Sequence, residues 1–109
     1  MTREVVTYNE IQGFHEYSNA PERVGYLSCR HRHVFVIRTW ANVSHNEREI
    51  EIITLQDKLQ DSLVRMFGYP CEFGSMSCES IAEWLLEYHE ELNKVEVLED
   101  GYGGATLTR

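Results

Sequence analysis

The run Cys29-Arg30-His31-Arg32-His33-Val34-Phe35-Val36-Ile37 constrains this chain more than any other segment. From His31 to Val43 the residues are largely β-branched or aromatic, which predicts a long strand. Alternate residues of a strand share a face. His31 and His33 therefore aim their rings in one direction from the head of that strand. His15 lies near the end of an earlier strand-like stretch, Glu4 to Tyr17. Three imidazoles converging from two neighbouring strands suit a zinc ion with its fourth position left free, the pattern of catalytic zinc.

The remainder reads as alternating punctuation and periodicity. Ser18 to Glu22 is a turn cluster, and Ser44 to Arg48 a polar loop. Glu49 to Ile53 shows strand-like alternation. Thr54, with Asp57 three residues on, resembles a capping box. Leu55, Leu59, Leu63, Met66 and Phe67 then recur at helical spacing until Gly68 and Pro70 end the helix. A second helix follows Ser77, burying Ile81, Leu85, Tyr88 and Leu92 and exposing Glu83, Glu87, Glu90 and Glu91, with His89 beside them. Lys94 to Glu99 is a third strand, Gly101 to Gly104 a turn, and Ala105 to Thr108 a last strand. Strands grouped around helices predict one α+β domain over residues 1–109. Its expected plan is ββααββ, an antiparallel four-stranded sheet with two helices on one face.

Composition narrows the partners. A net charge of −8 argues against nucleic acid, which needs a basic surface. No apolar run reaches membrane-spanning length. Three cysteines, Cys29, Cys71 and Cys78, form no CxxC pair, and no apolar leader follows Met1. Together these predict a cytoplasmic protein in a reducing compartment.

The order of the motifs resembles the 6-pyruvoyltetrahydropterin and 6-carboxytetrahydropterin synthase family, which has the tunnelling fold. Ile11-Gln12-Gly13-Phe14-His15 stands where members carry F-x-A-x-H, and His31-Arg32-His33 where they carry H-G-H. Glu51-Ile52 replaces a D-F near the first helix. Ser75-Met76-Ser77-Cys78-Glu79-Ser80 replaces P-T-x-E-N, with Ala82 and Trp84 following. Val95-Glu96-Val97-Leu98-Glu99-Asp100 replaces V-x-V-x-E-T. The resemblance implies zinc on His15, His31 and His33, and substrate contacts from Ser77, Glu79 and Glu99. Glu99 matches the carboxylate that grips the 2-amino-4-oxo edge of a pterin-like ring, a bidentate contact to two N–H donors. It also implies a homo-oligomer, a hexamer of two trimers, whose open sheet faces and edges close a barrel.

Two family features are absent. The cysteine four residues before H-G-H is Leu27 here. Cys29 has the same strand parity and stands as a relocated base, a fourth zinc ligand or a buried apolar residue. The Asp-His pair between the helices is also missing, since no histidine lies between His45 and His89. Two functions remain open: a zinc-dependent lyase acting on 7,8-dihydroneopterin triphosphate or a related pterin, and a catalytically degenerate zinc- and pterin- or purine-binding relative.

Overall fold

A computed structural model describes residues 1–109. β1 (Arg3–His15) is followed by a 3-10 helix (Glu22–Ser28), β2 (His31–Val43), α1 (Ile52–Phe67), β3 (Cys71–Gly74), α2 (Cys78–Tyr88), β4 (Lys94–Glu99) and β5 (Gly103–Thr108). The strands form one sheet in the order β3-β1-β2-β4-β5. β1 and β2 pair antiparallel along their whole lengths, from Arg3 opposite Val43 to His15 opposite His31. β4 pairs antiparallel with β2, placing Glu99 opposite Phe35, and β5 continues outward from β4.

This register puts the odd-numbered residues of β1, β2, β4 and β5 on one face. Ile11, Phe35, Ile37, Val95 and Val97 are buried there. α1 packs on β1 and β3, and α2 on β4 and β5, closing the core with Leu59, Leu63, Ile81 and Leu85. The opposite face has no helix over it. Val6 and Tyr8 on that side are about half exposed, at 48% and 49%.

The α+β class and the two covering helices match the sequence reading. The sheet does not: it has five strands rather than four, and it is mixed rather than antiparallel. The added strand, β3, runs parallel to β1. Cys71 and Phe73 are buried while Glu72 and Gly74 are exposed, an alternation too short to declare itself. The chain makes room for β3 at Gly13. A Cβ there would sit 2.7 Å from Cε2 of Phe73 and 3.1 Å from Phe35.

Helix boundaries also moved. Glu49 to Ile53 forms no strand; Glu51 caps α1 instead of Thr54, accepting from the backbone N–H groups of Ile53 and Thr54, each at 2.8 Å. A carboxylate at this end complements the positive pole of the helix. α2 stops at Tyr88, which is exposed, while Leu86 and Ala82 are buried in its place. His89 caps the end of α2 and is buried, not solvated: its Nε2 meets Ser62 Oγ at 2.8 Å.

Candidate metal centre

His15, His31 and His33 converge where β1 ends and β2 begins. Register is the cause: His15 is the direct partner of His31, and His33 lies one step along on the same face. Ring centroids are separated by 4.7 Å (His15–His31), 4.9 Å (His31–His33) and 5.2 Å (His15–His33). One nitrogen from each ring lies within 4.8 Å of those of the other two.

Each ring is oriented by its other nitrogen. His15 Nδ1 lies 2.9 Å from the Met76 carbonyl, and His31 Nδ1 lies 2.8 Å from the Cys29 carbonyl. His33 Nδ1 lies 2.6 Å from Asp100 Oδ2. Carbonyls and carboxylates only accept, so each neutral ring carries its proton on Nδ1. Each Nε2 lone pair is then free to bind. His15 Nε2 and His33 Nε2 are buried with no hydrogen-bond partner. Buried polar atoms are rarely left so. Imidazoles held through Nδ1 with a bare Nε2 are the arrangement of metal-ligating histidines, and the donor set fits a borderline ion such as zinc.

Glu99 also faces this point from β4. Its Oε2 lies 3.1 Å from His15 Nε2 and its Oε1 3.6 Å from His33 Nε2. Cys78 Sγ stands behind it, donating to Oε2 across 3.7 Å. Burial, reinforced by the negative charge of Glu99, pushes the Cys78 thiol up to about 12, so it stays protonated.

A cavity of about 530 Å³ opens beside the triad. Ser77, Glu79 and Glu99 all line it, as do Leu27 and Cys78. Ser77 is also the N-cap of α2, its Oγ accepting from the Ser80 N–H at 3.1 Å. Cys29 behaves otherwise. It is exposed rather than buried, it does not line the cavity, and it reaches the site through its backbone carbonyl alone. It ends the 3-10 helix, which the sequence did not announce, and that helix turns its side chain outward.

The sequence reading missed three contributors: Met76, Asp100 and Cys78. Met76 acts through a carbonyl, which every residue possesses, so no residue-type signal marked it. Asp100 takes a left-handed backbone with φ 55°, which Asp tolerates better than most residues. Its carboxylate binds the Val34 N–H and His33 Nδ1 together, and these hydrogen bonds, the backbone one first, hold its pKa below the ordinary value. His89 takes no part in the site. The twelve residue steps along α2 from Ser77 put it about 18 Å away.

Fold and site define an α+β domain with a histidine-triad candidate metal centre. No family model and no curated protein matches the sequence. Among solved structures, the chain is similar to an uncharacterized protein, WS1659 from Wolinella succinogenes, with a TM-score of 0.66 and 12% identity. The match covers 99% of this chain and 98% of that one. At that identity the likeness concerns the fold.

Proposed function

We propose that this protein is a zinc-dependent lyase or synthase of the 6-pyruvoyl- or 6-carboxytetrahydropterin synthase type, acting on 7,8-dihydroneopterin triphosphate or a related pterin. The observation that carries the metal half of this reading is the orientation of the three rings: each Nδ1 is held by an acceptor, and one nitrogen of each ring lies within 4.8 Å of those of the other two. His15, His31 and His33 would hold the ion. Bound zinc would supply Lewis acidity, making a neighbouring C–H or O–H of the ligand easier to deprotonate.

The rest falls to the chain's own groups. The cavity beside the triad has ample volume for a bicyclic ring and its side chain. Glu99 supplies two acceptor oxygens on its wall, and Ser77 and Glu79 add polar atoms at the start of α2. The Cys78 thiol retains its proton in this environment and is the nearest thiol to the carboxylate of Glu99. The open sheet face and the edge strands β3 and β5 would serve a hexamer of two trimers. Light scattering that finds only monomer at micromolar concentration would overturn that assembly. Free cysteines and the absence of any helix able to cross a membrane are consistent with a cytoplasmic location.

One observation favours a second reading, a non-catalytic zinc- and pterin-binding relative. Leu27 lines the cavity where the family has its cysteine, and no histidine outside the triad lines it. Incubation of zinc-loaded protein with dihydroneopterin triphosphate, with products resolved by mass, separates the two. Loss of triphosphate or side-chain cleavage supports the enzyme. Unchanged substrate that nevertheless binds supports the relative.

A further inference from the structure

We infer that Glu99 is the fourth ligand of the ligand-free metal centre, so that the resting site is closed by the chain's own carboxylate. This rests on the assignment of His15, His31 and His33 as metal ligands and adds a residue to that set.

The argument begins with a conflict of charge. Nε2 of His15 and Oε2 of Glu99 lie 3.1 Å apart, and Nε2 of His33 and Oε1 lie 3.6 Å apart. With the Nδ1 protons placed by Met76 and Asp100, these Nε2 atoms are acceptors. A carboxylate oxygen is an acceptor too. Two acceptors at such distances repel unless something positive lies between them. A proton on one ring would relieve one contact. A metal ion relieves both at once.

The distances suit the ion. Bonds of about 2.0–2.1 Å at a tetrahedral angle set two donor atoms about 3.3–3.4 Å apart. The two observed separations, 3.1 Å to one carboxylate oxygen and 3.6 Å to the other, lie on either side of that span. The direction suits it as well. Glu99 shares the inward face of the sheet with His33, since the register pairs Phe35 with Glu99 and carries odd residues to one side. The Cys78 thiol holds the carboxylate there, yet its side chain remains 37% exposed. It is fixed enough to bind and free enough to leave.

Closure has a consequence for binding. An incoming oxygen donor must displace Glu99, and only then is the carboxylate released toward the cavity. The bound charge also changes, from +2 on three neutral imidazoles to +1 with Glu99 attached.

Cobalt(II) in place of zinc gives a visible spectrum that reports its ligands, and azide is a small anion that takes an open position. The wild-type cobalt protein is expected to need roughly tenfold or more azide than Glu99→Gln or Glu99→Ala for the same spectral change. Both variants should bind cobalt roughly tenfold or more weakly, the scale of a lost supporting or ligating group. Equal azide midpoints and equal cobalt affinities overturn the inference and leave the three histidines untouched. Should neither variant fold, the wild type still decides: saturation by sub-millimolar azide means the fourth position is open. Failure of the wild type to take up cobalt or zinc overturns the metal assignment and this inference with it.

Discussion

The Asp100 carboxylate joins two strands at the histidine triad: one oxygen accepts from the Val34 N–H at 2.9 Å, the other from His33 Nδ1 at 2.6 Å. The first bond anchors the carboxylate, and the second fixes the imidazole. Asp100→Ala removes the acceptor that holds the His33 tautomer. Metal affinity should fall about 10–100-fold, measured by competition with a chromophoric chelator. Asp100→Asn, which keeps one oxygen and tolerates φ 55°, should lie between the two. Wild-type affinity in Asp100→Ala would mean that the carboxylate only ties down the strand.

His31 and His15 are expected to differ in what else they do. His31→Ala should abolish stoichiometric zinc, read by metal analysis of purified protein, with little change in fold, because the ring is partly exposed. His15 is 7% exposed and packs edge-on to Phe35 at 5.2 Å between centroids. His15→Ala should lose zinc and also about 1–3 kcal/mol of stability from the cavity it leaves. Equal zinc content in wild type and His31→Ala would remove His31 from the centre.

Gly13 is the point where β3 meets the sheet. Gly13→Ala drives its new methyl into the Phe73 ring, which is already held by Phe35 and Phe67 at centroid distances of 5.0 and 4.9 Å. That ring has no room to retreat. The substitution should cost about 1–3 kcal/mol in urea unfolding, the usual scale of overpacking. No change in the unfolding midpoint would show that β3 is loosely docked.

His89 should make stability pH-dependent. Burial holds its pKa below the ordinary 6.5, outweighing Glu91, which pulls the other way, while Lys58 adds to the lowering. Between the unfolded value and the lower folded one, the unfolded chain binds more protons than the folded chain. The contribution is therefore complete above about pH 6.5 and is lost as pH falls through the folded pKa. Metal-free protein in chelator should lose stability on acidification from pH 7 to 5, and His89→Gln should flatten that slope. Parallel slopes would assign the effect to other groups.

The thiols should divide sharply in reactivity. Cys29 is exposed, whereas Cys71 and Cys78 are buried, with pKa values pushed by desolvation to about 11 and about 12. Titration of the native protein with a disulfide reagent at pH 8 should show one fast thiol. The other two should react only at the rate of unfolding, since little thiolate forms on them. Rapid modification of a second thiol would mean that the cavity beside Cys78 admits the reagent and activates the sulfur.

Much of this protein follows from local pattern. Period-two alternation set His31 and His33 on one face, and the stripe Leu55, Leu59, Leu63 marked the inward side of α1, where all three are buried. Both signals need only the repeat of a single element. What the tertiary structure decided was which elements meet. Alternation gives the face of His15 but not its partner; the pairing with His31 arises from the register of two thirteen-residue strands. The four residues of β3 are too few to announce a strand, and only docking on β1 makes them one. His89 resembled a solvated helix residue because helical position says nothing about Ser62, 27 residues earlier, waiting across the gap. Likewise the carbonyls of Met76 and Cys29, which orient two of the three rings, carry no residue-type signature. Side-chain chemistry chose the possible ligands, and backbone geometry, invisible in any single segment, aimed them at one another.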